Sequence, residues 1–145
     1  MAPTNRKLVT LQALWEEKRR GRTMPSRSDI SVFVLRPWLG NLALIDLPAK
    51  GEGQFRLCGI NLFSRFGGDV TGRVLADLGD EIGASLRELV AIVQTTNAPL
   101  EGQHSHIIEG QRVKFEELLL PMSDHGYQAN VLLFACYRSQ LESLW

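Results

Sequence analysis

The chain has 145 residues, 16 Lys and Arg against 16 Asp and Glu, and 44% hydrophobic residues. A single domain of this length buries roughly 70% of the surface its unfolded chain exposes, and a formal net charge of zero removes any global electrostatic case for nucleic acid. No apolar run reaches the about 18 residues that a membrane span needs, and the polar N-terminus lacks the apolar core of a secretory signal, so a cytoplasmic location is expected.

The charge is uneven along the chain. Arg6, Lys7, Lys18, Arg19, Arg20, Arg22, Arg27 and Arg36 crowd the first quarter. Such an end can meet phosphate or acidic protein; the plainer reading is a solvated helix end, because cations favour a helix C-terminus. Leu8, Leu11 and Trp15 recur at helical spacing, with Leu14 widening the stripe, and predict an amphipathic helix over 6–20 that stops at Gly21. "TMPSRSD" is turn chemistry, with Ser28 or Asp29 available to cap a short helix that Pro37 ends.

"NLALIDL" (41–47) reads as a strand, with "GQFRLCG" (53–59) as its hairpin partner. In the partner, Phe55 and Leu57 are expected on one face and Arg56 and Cys58 on the other. "GINLFSRFGGDVTGRVLADL" follows as short helices broken by glycine. Residues 84–94 form the clearest helix, with Leu86, Leu89, Val90 and Val93 in phase, ended by Asn97 and Pro99. Three strands close the chain, at 100–109, 112–122 and 128–138. "EGQ" and "SDHGY" turn between them, so they run antiparallel. Residues 131–137 are apolar on both faces, as in a strand covered on both sides. Helices grouped between strands argue for an α+β fold with one antiparallel sheet. Cys58 and Cys136 sit in apolar runs and read as core thiols.

"GGDVTGRV" is nearly a phosphate-binding loop, with Gly67 and Gly72 at the required distance. Arg73 and Val74 stand where Lys and Ser or Thr are needed. Val74 offers no hydroxyl to a metal, and no parallel sheet is expected behind the loop. The glycines are better explained by a positive-φ turn, with Asp69 or Thr71 capping the next short helix. Val74, Leu75 and Leu78 would then pack inward.

This order of elements is that of a PAS domain. The chain resembles in particular the short bacterial proteins of the PAS_5 type. Trp15, Lys18, Arg19, Gly21, Arg22, Met24, Pro25, Ser26, Arg27 and Asp29 match their leading segment. Ile45, Asp46, Phe55, Arg56, Leu57, Gly59, Phe66, Gly67, Asp69, Thr71, Gly72 and Arg73 continue the match. The resemblance implies a sensory and interaction module: a five-stranded antiparallel sheet, helices on one face, and an N-terminal helix outside the core. It also implies a pocket between sheet and helices. The parts are then an N-terminal helical extension (1–39), a PAS-like core (40–138) and a tail (139–145).

Candidates to line that pocket are Phe55, Leu57, Phe63, Phe66, Leu86, Leu89, Val93, Phe115, Leu133 and Ala135. The alternative is that they simply fill a core. Leu8, Leu11, Leu14 and Trp15 are expected to anchor a homodimer, and the C-terminal "LESLW" to dock its tryptophan on the sheet or on a partner.

His104 and His106 share one strand face at period two. They are the candidate ligands for haem or another cofactor, with no third ligand for zinc in view. The Asn-Cys-Arg setting of a flavin-reactive cysteine is absent. Glu116 and Glu117, consecutive on a strand, read as solvated charge on opposite faces. Ser64 and Ser105 have no histidine–carboxylate relay, so no catalysis is expected. The residues outside the core are too few for a kinase, cyclase or DNA-binding segment, so output is expected to pass through contact with a signalling partner. An alternative is a small α+β enzyme, since fold alone does not fix function.

Overall fold

A computed structural model describes residues 5–139, apart from the side chains of 80–82 and of His106. The "LESLW" segment lies outside the described residues. Helix α1 spans Arg6–Arg19. Asn5 starts it, its side chain accepting from the amides of Lys7 and Leu8, which satisfies donors that a helix start leaves open. The left-handed cap falls on Arg20 (φ 51°), with Gly21 next at φ 77°, so the helix stops one residue before the expected glycine. Two of the basic residues, Arg19 and Arg22, serve this helix end. Arg22 donates to the carbonyls of Lys18 and Arg19 and to Asp29, and Arg19 donates to the carbonyl of Arg22.

Two 3-10 turns follow, at Arg27–Asp29 and Arg36–Asn41. Ser26 caps the first, and Asp29 accepts from the Ser26 amide at 2.8 Å, a reciprocal capping box. The cap is therefore Ser26, not Ser28 or Asp29. Pro37 sits in the first turn of the second segment. It opens that turn instead of ending a helix, because its missing N–H costs nothing there.

The strands are β1 (Leu42–Asp46), β2 (Gln54–Cys58), β3 (Leu100–Ile108), β4 (Gln111–Met122) and β5 (Val131–Arg138). They form an antiparallel five-stranded sheet in the order β2-β1-β5-β4-β3. A one-residue bridge from Gln54 to Val74 adds a minimal sixth segment outside β2. The β3–β4 turn places Glu109 (φ 51°) and Gly110 (φ 80°) in the left-handed region, as a two-residue hairpin turn requires.

Helix α2 (Phe63–Phe66) is a single turn, ended by Gly67 at φ 80°. Helix α3 (Asp80–Thr96) is longer than its apolar periodicity suggests and ends at Asn97, φ 52°. "GGDVTGRV" runs beside β2: the Phe55 amide donates to Arg73 O, and the Gly72 amide to Phe55 O. Asp69 accepts from the amide and hydroxyl of Thr71, closing the turn instead of capping a helix. Leu75 and Leu78 pack inward, with Val70 beside them, while Val74 is half-buried.

Both faces of the sheet are covered. Phe55 and Phe66 meet edge to face and Phe66 and Phe134 at a tilt, with centroids 5.4 and 5.8 Å apart, so α2 lies on the Phe134 face. On the opposite face Leu118, Leu120, Met122, Leu133 and Ala135 are at most 1% exposed. That face is left to α1 and the 3-10 turns. Trp15 Nε1 donates to Pro121 O on β4, and Trp38 Nε1 donates to Lys7 O on α1. Leu8, Leu11 and Trp15 are buried to 2% exposure or less, and Leu14 is partly buried. The stripe expected to anchor a second copy is therefore already spent on the chain's own sheet.

The Asp29 bonds carry a pH consequence. The Ser26 amide, then Arg22, then the Ser26 hydroxyl hold the Asp29 carboxyl down at about 2. A lowered native pKa gives stability that is complete above the unfolded value of about 3.9 and lost as pH falls through the native one. Asp29→Ala should cost about 1 kcal/mol at pH 7 by urea unfolding. The gap to the parent protein should shrink as pH falls from about 4 to 2.

Candidate functional site

Between the sheet and α2, the interior holds a charge. Arg65, the third residue of α2, is 1% exposed, as is Glu117 of β4. Arg65 Nη2 donates to Glu117 Oε2 at 2.8 Å, with both side chains fully removed from solvent. The guanidinium also lies over the rings of Phe66 and Phe115, 5.5 and 6.0 Å from their centroids. An isolated buried ion is costly, so such a charge persists only when paired.

A histidine extends the pair. His104 of β3 lies across from Phe115, and its Nε2 is 2.8 Å from Glu117 Oε1. That approach is close but poorly directed, since Oε1 has no well-aligned donor among the described residues. The other ring nitrogen, Nδ1, lies 3.5 Å from Ser85 Oγ on α3. The cluster thus joins α2, β4, β3 and α3. Burial alone would raise the Glu117 pKa; the His104 contact and the Arg65 charge outweigh it, and the carboxyl is held below its usual range. On β5, Cys136 pairs with Glu117. Its thiol is pushed far up, by burial first and then by the Glu117 charge. Arg65 Nε and Nη1 have no hydrogen-bond partner among the described residues.

A pocket of about 680 Å³ abuts this cluster. Leu62, Phe63 and Ser64 form one wall, and Phe115 and Cys136, both neighbours of the Arg65–Glu117 pair, form the other. Asn61 donates to Asn41 Oδ1 at its mouth. The backbone behind is drawn tight: a Cβ on Gly59 would lie 2.4 Å from the carbonyl oxygen of Gly40. Burial pushes the half-buried Tyr137 phenol, also in the pocket, up to about 12. A second groove, of about 810 Å³, lies at the β1–β2 end of the sheet. Its lining includes the Arg56–Asp46 ion pair, Leu44, Gln54 and Val131. Nothing in the local sequence pattern points to it.

The residues expected at the pocket divide. Phe63 and Phe115 line the 680 Å³ cavity. Phe55, Phe66, Leu86 and Val93 belong to the buried core on the helix side, and Leu89 packs partly buried against it. Leu133 and Ala135 do not join them. Leu133 pairs with Leu44 and Leu120, and Ala135 with Leu42 and Leu118, one step out of phase with Phe134 and so on the α1 face. Leu57 is displaced as well. The register slips between Leu44 and Ile45, so that Phe55 pairs with Ile45 but Leu57 pairs with Leu44. The extra residue at this bulge puts Phe55 and Leu57 on opposite faces.

Glu117 is the larger correction. It is buried and paired with Arg65, not solvated, and Glu116 is also only 7% exposed. His104 has its ring between Glu117 and Ser85; the side chain of His106 lies outside the described residues. Both cysteines are free, Cys136 buried and Cys58 half-buried. Arg65 is absent from every sequence-based candidate above. Its signal was a lone cation inside "LFSRF", where flanking aromatics leave it no polar face.

The sequence profile of the PAS domain family, of the PAS_5 type, matches residues 3–135. The chain belongs to that family, and the N-terminal helix falls within the match. Solved structures share the fold. The PAS domain of Bordetella pertussis BvgS is 16% identical with a TM-score of 0.56, over 78% of this chain and 90% of that one. The LOV protein of Rhodobacter sphaeroides is 15% identical with a TM-score of 0.51, over 69% of this chain. The match spans only 59% of the Rhodobacter chain. The LOV domain of the blue-light photoreceptor Aureochrome1 is 10% identical, TM-score 0.52, over 77% of this chain and 91% of that one. No curated protein matches the chain. Among the described residues no helix is long and apolar enough to cross a membrane.

Removing one partner of the buried pair should be far worse than removing both. Glu117→Gln strands the Arg65 charge and should cost about 3–5 kcal/mol, whereas Arg65→Met with Glu117→Gln should lie much closer to the parent. A double-mutant cycle by urea unfolding measures the difference. The native Glu117 pKa is lowered, so its stabilisation is present above an unfolded value of about 4.3 and fades as pH falls. The double variant should lose that part of the acid sensitivity.

Proposed function

We propose that this chain is a sensory PAS module of bacterial signalling. It holds a small ligand between the sheet and α2, and it passes the resulting change on by contact with a partner protein or a second copy. The observation that carries this reading is the Arg65–Glu117–His104–Ser85 cluster. A ligand bound beside it alters the contacts of α2, β3, β4 and α3 at once. A filled apolar core would have no reason to retain a charge that hydrophobic residues replace at little or no cost. Both ring nitrogens of His104 face partners within the chain, which does not favour an axial-ligand role.

Ligand binding to the native state alone raises stability by about 2.7 kcal/mol at a hundred times Kd. A thermal-unfolding screen of the full chain against a library of small metabolites should therefore find compounds that raise Tm by several degrees. Those compounds should also slow amide exchange in the α3 segment around Ser85. A library that shifts neither Tm nor exchange removes the sensor reading.

A further inference from the structure

Helix α1 turns a second face outward. Leu8, Leu11 and Trp15 are spent on the sheet, and Arg6, Val9, Thr10, Ala13 and Glu17 lie exposed on the other side. Arg6 and Glu17 are about three turns apart at 3.6 residues per turn, so both fall on the outermost line of the helix, with Thr10 and Ala13 between them. Neither charged side chain has an ion-pair or hydrogen-bond partner among the described residues. The charges beside this line are held within the chain: Lys7 Nζ donates to Pro37 O, and Glu16 pairs with Arg19.

The helix itself gains nothing from Arg6 or Glu17. Its first turn holds no acidic residue, and Arg6 sets a cation there, against the positive end of the helix dipole. Glu17 sets a carboxylate in the last turn, against the negative end. Both charges oppose the local preference, so a partner for them is to be sought outside the helix.

Their order is self-complementary. Two copies of α1, laid antiparallel about a twofold axis midway between Leu11 and Gln12, place Arg6 of each opposite Glu17 of the other. The ion pairs then flank the axis at about 8 Å on either side, at a rise of 1.5 Å per residue. Thr10 meets Ala13 at the crossing. Both are small, and the Thr10 hydroxyl is turned back to Lys7 O, so the helix axes can approach to about 8 Å. Val9, 45% exposed, adds apolar surface at the margin. An acidic partner would satisfy Arg6 and repel Glu17, and a basic one the reverse. A second copy of this chain carries both signs at the required spacing.

We propose that the outward face of α1 is a homodimer contact, held by two symmetry-related Arg6–Glu17 pairs around a Thr10–Ala13 crossing. It specifies the second copy named in the sensory reading, and it rests on that reading only for its use in signalling. A single helix pair stands at the small end of interface sizes, so the dimer is weak and its population follows concentration.

Sedimentation equilibrium of the full chain up to about 1 mM, where a weak complex is populated, should show a monomer–dimer equilibrium that moves toward monomer as salt is raised. Arg6→Glu and Glu17→Arg each turn both contacts into like-charge pairs and should each weaken dimerisation at least about tenfold. Both changes favour the helix dipole, so Tm at low protein concentration should hold or rise, which separates a lost contact from a lost fold. Mixed one to one, the two variants should dimerise again. The two reversed charges then meet in one contact, and Glu17 of one variant meets Arg6 of the other in the second.

A parent chain that stays monomeric, single variants that dimerise as the parent does, or a mixture that stays monomeric overturns the proposal. If the mixture dimerises while no compound shifts Tm, this contact stands and the sensory reading falls. If the parent chain is monomeric yet compounds raise Tm, the sensory reading stands and this contact falls.

Discussion

The buried pair between Arg65 and Glu117 is the constraint around which the helix-side half of this domain is arranged. Taking two ions from water costs several kcal/mol each, and their attraction offsets this only when the geometry is good and the remaining lone pairs and protons are satisfied. Here the offset is incomplete: one guanidinium nitrogen reaches Glu117, and two others find no acceptor among the described residues. The rings of Phe66 and Phe115 supply part of the difference through cation–π contact. The position of Glu117 is set from both sides, by Cys136 on β5 and Gly102 on β3. A one-residue slip of β4 would turn Glu117 to the α1 face and bring a neighbour to Arg65. Leu118 there would leave the guanidinium stranded, so the ion pair penalises misregister of the two longest ladders in the sheet.

The opposite face answers a different demand. β5 carries Leu133 and Ala135 outward and Leu132 and Phe134 inward, all at most 1% exposed. Such a strand needs apolar cover on both sides. α1 provides it on one side, fixed by the Trp15–Pro121 and Trp38–Lys7 hydrogen bonds. Those indole bonds matter because a buried Trp N–H needs a partner. The N-terminal segment is thus part of the folded unit, in keeping with a family match that begins at residue 3. A surface for a partner must be sought elsewhere, since Leu8, Leu11 and Trp15 are already buried.

Much of the fold was legible because the periodicities are clean. Leu86, Val90 and Val93 mark α3, and the hairpin turn at Glu109 and Gly110 separates β3 from β4. Three failures have specific causes. The bulge at β2 inserts one residue, and alternation counted through it assigns Leu57 to the wrong face. β5 is apolar on both faces, so no polar residue marks which of Phe134 and Leu133 points to the helices. The site itself was invisible locally, because Arg65 and Glu117 are 52 residues apart. "EELLL" on its own is an ordinary solvated strand start, and only the long-range partner makes Glu117 an interior residue. A lone arginine among aromatics in "LFSRF" is the signal that could have found it.

The cluster also bears on how occupancy could be felt beyond the pocket. A ligand shifts a conformational equilibrium only by its difference in affinity for the two states. An acceptor on Arg65 competes, through the shared guanidinium, with the grip of Arg65 on Glu117. In a low-dielectric interior a small change in that distance changes the interaction more than it would at the surface. Glu117 is also the carboxylate beside His104, and His104 is the residue in contact with Ser85 of α3. The path from an orphaned N–H to the long helix is therefore three contacts long and entirely polar. An apolar core of the same volume would fill the space but would have no bond to exchange. The incomplete satisfaction of Arg65 is a cost to stability.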